Sequence, residues 1–433
     1  MRGRGVLWLG LGLLIAGVVL VIAGWPRHPA PRPLLPSIAA TTPTPEPLIP
    51  TRTPSVPTAL AAPAATPTQG PSVPTYTPTP ASAPIPPTVS PSPVMASPTA
   101  TTAPLNATAP VPSLTPTIPT FDRGSQINYR NRPRWGVGVA KGPISRYHIT
   151  DLRLGWYLDW RARMNPPRPE GVEYVQMVRL RGGALQPDVE TIAAIARANP
   201  GSLWLIGNEP DVKWQDNVEP VVYARLYHEA YTAIKGADPT AQVAIGGVSQ
   251  PTPLRRRYLD AVLAAYREQF GAEMPVDVWN VHNFLLREER GSWGVDIPPG
   301  LSDDRGMLYE IEDSGNLEAF RQQVWDFRRW MAARGYGGWP LIVSEYGIPM
   351  PEDYGFPQER VVAFLRGTFA FFLTAADPAL GDPADGYRLV QRWCWYSLDD
   401  TIYPTGRLFD PQTGEMTAVG EGWGELVVMI PSP

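Results

Sequence analysis

Leu203-Trp204-Leu205-Ile206-Gly207-Asn208-Glu209-Pro210-Asp211 is an apolar, β-prone run that turns polar within a few residues. A short continuous apolar run closed by Gly and Pro reads as a strand buried on both faces, the kind that parallel sheets require. Leu341-Ile342-Val343-Ser344-Glu345-Tyr346-Gly347 is built the same way. In both, a carboxylate arrives where the strand ends. One such glutamate could be a structural group satisfied by a helix N-terminus or an ion pair. Two in matching positions point to shared chemistry.

Working outward, β-rich apolar runs alternate with helical patterns, the sequence form of a parallel α/β fold. The spacing predicts eight strands, over 135–140, 154–160, 172–178, 203–207, 242–246, 276–281, 341–344 and 390–396. Helical periodicity is clearest in the second half. Tyr258, Val262 and Tyr266 recur over 253–270, and Phe320, Val324, Phe327 and Met331 form one stripe over 316–334. Residues 361–374 are apolar nearly all round, and the link between the first two strands is short for a helix. Eight such units fit a (β/α)₈ TIM barrel. Gly136-Val137-Gly138-Val139 lies inside a strand with no helix-opening GxGxxG, which argues against a nucleotide-binding doubly wound sheet.

Composition divides the chain. More than half of the 53 Pro precede residue 121, whereas nearly all of the 15 Trp follow it. The uncharged run 6–25 matches the roughly 20 residues that span a hydrocarbon core, and Arg2 and Arg4 before it favour an N-in orientation. The expected organisation is a signal anchor over 1–25, a disordered Pro/Thr/Ser/Ala linker over 26–120 and a catalytic domain over 121–433. The membrane is then one partner, and the domain lies outside the cytoplasm; cleavage after Ala23 would release it as a secreted protein. In extended polyproline form the linker could reach at most roughly 290 Å, at about 3.1 Å per residue. A net charge of −4 with no basic block excludes nucleic acid as a natural partner. Arg255, Arg256 and Arg257, the only basic triplet, read as the solvated face of a helix. The single cysteine, Cys394, permits no intrachain disulfide and reads as a small buried hydrophobe.

Barrel enzymes carry their chemistry at the C-terminal ends of strands. Strands four and seven, which bring Glu209 and Glu345, face each other across the mouth, so two carboxylates can flank one bond. A carboxylic acid that protonates a leaving oxygen and a carboxylate that attacks are what glycosidic cleavage needs. No metal or other cofactor is expected, because four scattered His suggest no ligand cluster. No protein partner is expected either.

Asn208-Glu209-Pro210 and Ser344-Glu345-Tyr346-Gly347 resemble the signature of clan A glycoside hydrolases, barrels with catalytic Glu on strands four and seven. Within the clan, Trp156-Tyr157-Leu158-Asp159-Trp160, Val172-Glu173-Tyr174-Val175-Gln176-Met177, Val281-His282 and Arg392-Trp393-Cys394-Trp395 resemble glycoside hydrolase family 128, β-1,3-glucanases. The chain departs from that family at Asn283-Phe284, where an aromatic pair is usual, at Gln176 in place of Pro, and in an apparent insertion over 285–315.

The resemblance implies a retaining, endo-acting hydrolase of a β-linked polysaccharide, β-1,3-glucan first, with Glu209 as acid/base and Glu345 as nucleophile. Their carboxyls should then lie about 5–5.5 Å apart. Asn208 would bond the sugar 2-OH, and His282 would orient a carboxylate or bind a hydroxyl. Trp395 would floor the cut site, Trp156 or Trp160 would add a second platform, and Tyr346 would stand beside the nucleophile. Strand alternation puts Trp393, Trp395 and Ser397 on one face, with Arg392, Cys394 and Tyr396 on the other. Loop residues Trp214 and Trp293 are further ligand candidates. Donors near Glu345, from Tyr346 and His282, would keep it ionised, while Glu209 beside neutral Asn208 would hold its proton. The alternative is a barrel that kept its groove and lost turnover, a surface carbohydrate-binding protein.

Overall fold

The computed structural model describes residues 132–431. The segments 1–25 and 26–120, expected as anchor and linker, lie outside the described residues. Among the described residues no helix is long and apolar enough to cross a membrane.

The strands are β1 (Trp135–Gly138), β2 (Trp156–Leu158), β3 in two pieces (Glu173–Tyr174 and Gln176–Val178), β4 (Leu203–Asn208), β5 (Gln242–Gly247), β6 (Trp279–His282), β7 (Leu341–Tyr346) and β8 (Arg392–Trp395). All pair in parallel. One sheet runs from the first piece of β3 through β2, β1, β8 and β7 to β6, and the second piece of β3 pairs with β4 and β4 with β5. Val175 links the two pieces of β3 and donates its N–H to Tyr157 at 2.9 Å. At the other seam a parallel bridge joins Ala244 to Val278, and His282 N–H reaches Val248 O at 2.9 Å. The α/β sheet therefore meets itself at both ends, in barrel fashion.

Six α-helices follow β3 to β8 among the described residues: α1 (Val189–Ala198), α2 (Pro220–Ala237), α3 (Pro253–Phe270), α4 (Leu317–Ala333), α5 (Gln358–Thr374) and α6 (Ala418–Met429). Side chains open several of them. Asp188 accepts from Thr191 N–H, Thr252 from Arg255 N–H, and Asn316 from the N–H groups of Glu318 and Ala319. The links after β1 and β2 hold only 3₁₀ turns: the first was expected to be short for a helix, and the second departs from the eight-unit reading. The regular part of β6 starts three residues later than expected. Ahead of it, the Asp277 side chain accepts Val243 N–H at 2.9 Å and pairs with Lys235.

Side chains sort by strand alternation into two layers. Trp156, Leu158, Val175, Met177, Leu203, Leu205, Ala244, Val278, Ile342 and Cys394 form the inner cluster. Trp204, Ile206, Trp279, Val281, Val343, Trp393 and Trp395 belong to the larger cluster shared with the helices. The glycines of β1 serve the inner layer. A Cβ on Gly136 would meet the Trp156 ring at 2.7 Å, and one on Gly138 the Trp160 ring at 2.9 Å, so these positions admit two indoles. Cys394 is fully buried, as expected.

Residues 285–315 form the anticipated long excursion between β6 and α4. Its anchor overturns one expectation: Arg255 is fully buried and not part of a solvated face. Its guanidinium donates to Asp211 at 2.9 Å, Ser249 at 2.8 Å, Glu288 at 2.5 Å, and the Val295 and Asp296 carbonyls at 3.0 Å. Glu288 also accepts Thr252 Oγ1–H at 2.5 Å and Met307 N–H at 2.6 Å. A buried charge is tolerable only when paired and fully bonded, and here Arg255 ties the excursion to the loop that follows Glu209. Of the triplet, only Arg257 is exposed.

Candidate active site

Glu209 stands one residue beyond β4 with φ at 44°, just after Gly207 at 97°. Non-Gly residues rarely take this conformation, and it persists where the surroundings impose it. Here Glu209 N–H is held by Gly247 O at 3.0 Å, and Glu209 O accepts from Val212 N–H at 3.0 Å. Glu345 lies within β7, opposite His282 of β6 in register. The β7–β8 register shifts between Val343 and Tyr346.

His282 bridges the two carboxylates. Its Nδ1 is 3.0 Å from Glu209 Oε1, and its Nε2 faces Glu345 Oε1 at 3.4 Å. One ligand-capable atom from each of the three side chains lies within 4.8 Å of the other two, so the carboxylates approach at least that closely. The imidazole is fully buried, with Glu209 8 % and Glu345 5 % exposed. Gly247 makes this possible: a Cβ there would meet His282 Cδ2 at 2.4 Å. Trp160 closes the group from β2, giving its Nε1–H to Glu345 Oε1 at 2.6 Å and packing edge-on against Tyr396 at 5.9 Å.

Contrary to the expectation that nearby donors would keep Glu345 ionised, burial pushes its carboxyl up to about 7 and the charge of Glu209 adds to the rise; His282 and the Trp160 N–H oppose it. Burial alone would depress the His282 imidazole, but the neighbouring Glu345 and Glu209 outweigh it and hold its pKa above the usual value.

The structure thus groups Glu209, Glu345, His282 and Trp160. Asn208 adjoins them, almost buried, its backbone N–H given to Asp216 Oδ2 at 2.8 Å. Three expectations are overturned. Trp395 faces the helices, with its Nε1–H on Gly406 O at 2.7 Å and its ring against Tyr346 at 5.2 Å. Tyr346 is equally buried in that outer layer beside Phe320 and Phe372. Trp156 is sealed inside the ring under the Arg392 guanidinium, 4.8 Å from its ring centre. None of the three can contact a ligand at the carboxylates.

The aromatic that β8 sends inward is Tyr396, packed near Trp160 and Phe284, with its hydroxyl on Asp400 at 2.7 Å. Strand alternation already placed it opposite Trp395, so that signal was available. Asp216 carried no sequence signal; it receives the N–H groups of Asn208 and Leu180 and the Arg179 guanidinium, pinning the ends of β3 and β4. Trp293 is buried in the core, and Trp214 is half-buried under the Lys213 amine. Folding brings Glu209, His282 and Glu345 together, a grouping that linear spacing did not show.

Fold and site together define a barrel-like parallel α/β protein with a buried carboxylate–imidazole–carboxylate centre at its strand ends. Residues 140–293, which include Asn208, Glu209 and His282, match the family described as glycosyl hydrolase catalytic core. Among solved structures, the chain is similar to a subgroup II family 128 endo-β-1,3-glucanase from Sorangium cellulosum at 17% identity, covering 68% of this chain and 98% of that one with a TM-score of 0.46. It is similar to the Pseudomonas viridiflava subgroup II enzyme at 19% identity, with the same coverage and TM-score. A curdlan-specific exo-β-1,3-glucanase from Blastomyces gilchristii, subgroup III, shares 21% identity over 67% of this chain and 97% of that one, with a TM-score of 0.43. No curated protein matches in sequence.

Proposed function

We propose that the protein is a retaining glycoside hydrolase acting within β-linked polysaccharide chains, β-1,3-glucan first. One observation carries the reading: two buried carboxylates from β4 and β7 lie within 4.8 Å of each other and of one imidazole. So close a pair suits double displacement; inversion needs wider spacing, about 6.5–9.5 Å, to seat a water between carboxylate and sugar. Glu345 attacks the anomeric carbon. Glu209 protonates the departing oxygen and then takes a proton from the incoming water. The Trp160 N–H and His282 favour the ionised form of Glu345 that attack requires, and the sugar packs on Tyr396 and the free face of Trp160. The choice of β-1,3-glucan rests on the motif resemblance of β2, β3, β6 and β8.

The test is product analysis on β-1,3-glucan, mannan, xylan and cellulose with wild type and two variants. Glu345→Ala should abolish turnover on every substrate, because no covalent intermediate can form. Glu209→Ala should spare an activated aryl glycoside, and azide should rescue it with a β-configured product. Wild-type activity in both variants would overturn the catalytic reading.

For the remainder of the chain we propose a membrane tether over 1–25 and a spacer over 26–120, with the domain outside the cytoplasm. Amino-terminal sequencing of the native protein should begin before residue 6; a start after Ala23 would show release.

A further inference from the structure

We infer that Asp211 is the positioning residue for Glu209, holding the acid/base carboxyl where the departing oxygen is protonated, a role that rests on the proposed function. Glu209 and Asp211 face Gly247 and Ser249 with the same two-residue spacing. The β4–β5 ladder sets Asn208 opposite Gly247 and continues with Glu209 N–H on Gly247 O at 3.0 Å. There the backbone turns left-handed, and the Asp211 side chain takes over as acceptor. Ser249 N–H reaches both of its carboxylate oxygens at 3.2 Å, and Ser249 Oγ–H reaches Oδ2 at 2.8 Å. Arg255 Nε–H closes a triangle, 2.9 Å from Asp211 Oδ2 and 2.8 Å from Ser249 Oγ.

Asp211, Ser249 and Arg255 are all fully buried, so Asp211 never meets substrate and acts on the reaction only through Glu209. The φ of 44° at Glu209 costs about 1–3 kcal/mol and lasts only while the surroundings impose it. Pro210, with its φ fixed by the ring, is the one residue between Glu209 and Asp211, so a shift of Asp211 passes to Glu209 with little slack. The segment that grips Asp211 also fixes the strand end bearing His282: Val248 O accepts His282 N–H at 2.9 Å, and Ser249 O accepts Phe284 N–H at 3.3 Å. His282 in turn meets Glu209 Oε1 at 3.0 Å. Asp211, Ser249, Val248, His282 and Glu209 thus form a closed circuit, in which Asp211 holds the main chain of Glu209 and His282 its carboxyl. A reacting group held this way keeps its productive geometry between turnovers.

The test compares Asp211→Asn with wild type on β-1,3-glucan and on an activated aryl β-glycoside of a β-1,3-linked disaccharide. The new amide turns an N–H toward the donors of Ser249 and Arg255, so the circuit opens. The quantity read is kcat/KM, which reports the step in which the leaving group departs. Only the glucan needs a proton delivered in that step. Misplacing a catalytic group by about 1 Å can cost about 10²-fold. Expected is a loss of at least about tenfold on glucan and less than about threefold on the aryl glycoside. Circular dichroism and urea unfolding report folding. Asp211→Asn decides if it folds; otherwise Ser249→Ala does, which keeps the N–H, removes the hydroxyl and should show the same split at about threefold or more on glucan. An equal loss on both substrates, or no loss on glucan, in the deciding variant overturns the positioning role and leaves the hydrolase. Wild type that cleaves neither substrate overturns the hydrolase, and the positioning role with it.

Discussion

Replacing Trp160 with Phe removes one interaction, the Nε1–H that reaches Glu345 Oε1 at 2.6 Å, while keeping a ring beside Tyr396. A hydrogen bond to a charged group contributes about 1.5–3 kcal/mol, so its loss should raise the Glu345 pKa by about one to two units, at 1.36 kcal/mol per unit. Burial already sets that carboxyl at about 7. The nucleophile works only when ionised, so activity is present above its pKa and lost as pH falls through it. Raising the pKa must therefore move the acidic limb of kcat/KM to higher pH. At pH 7 the ionised fraction drops from about one half to between about 10% and 1%, so kcat/KM falls roughly five- to fifty-fold and recovers as pH rises. The assay is a pH series on a soluble β-1,3-glucan. A limb that stays in place while activity falls uniformly would refute the reasoning, because Trp160 would then only hold substrate.

Two further perturbations test the supports of the site. Gly247→Ala puts a Cβ 2.4 Å from His282 Cδ2, so the bridging imidazole must shift. We expect about 1–3 kcal/mol less stability from overpacking and at least a tenfold lower kcat/KM, measured by urea unfolding and steady-state kinetics; unchanged kinetics would make the position of His282 immaterial. Arg255→Met leaves Asp211 and Glu288 buried without their cation and should cost about 3–5 kcal/mol in urea unfolding. The excursion 285–315 should then be cleaved faster by protease, and a wild-type unfolding midpoint would contradict its anchoring role.

Much of this architecture was legible because buried parallel strands are written as continuous apolar runs. All eight positions were visible, and α3 spans 253–270 as its periodicity implied. Glu209 and Glu345 were legible for the same reason: a carboxylate directly after such a run falls where the strand ends. The missing helix after β1 was signalled by a short link, whereas nothing read in the sequence signalled the one after β2. Arg255 was misread because a basic triplet on a helix looks solvated unless its distant partners, Asp211 and Glu288, are known.

The sequence by itself determined the alternation along each strand, and with it which side chains can share a face. It did not determine which face points inward, because Arg392, Cys394 and Tyr396 read as plausibly as Trp393 and Trp395. Tertiary packing decided that. The interior of the ring is already filled by Trp156 against Gly136 and by Trp160 against Gly138, so β8 turns small Cys394 inward and sends its indoles to the helices. Tertiary structure alone also assembled the carboxylate–imidazole–carboxylate group. His282 is 73 residues from Glu209 in the chain, and no local pattern encodes a contact that exists only because β4, β5, β6 and β7 lie side by side.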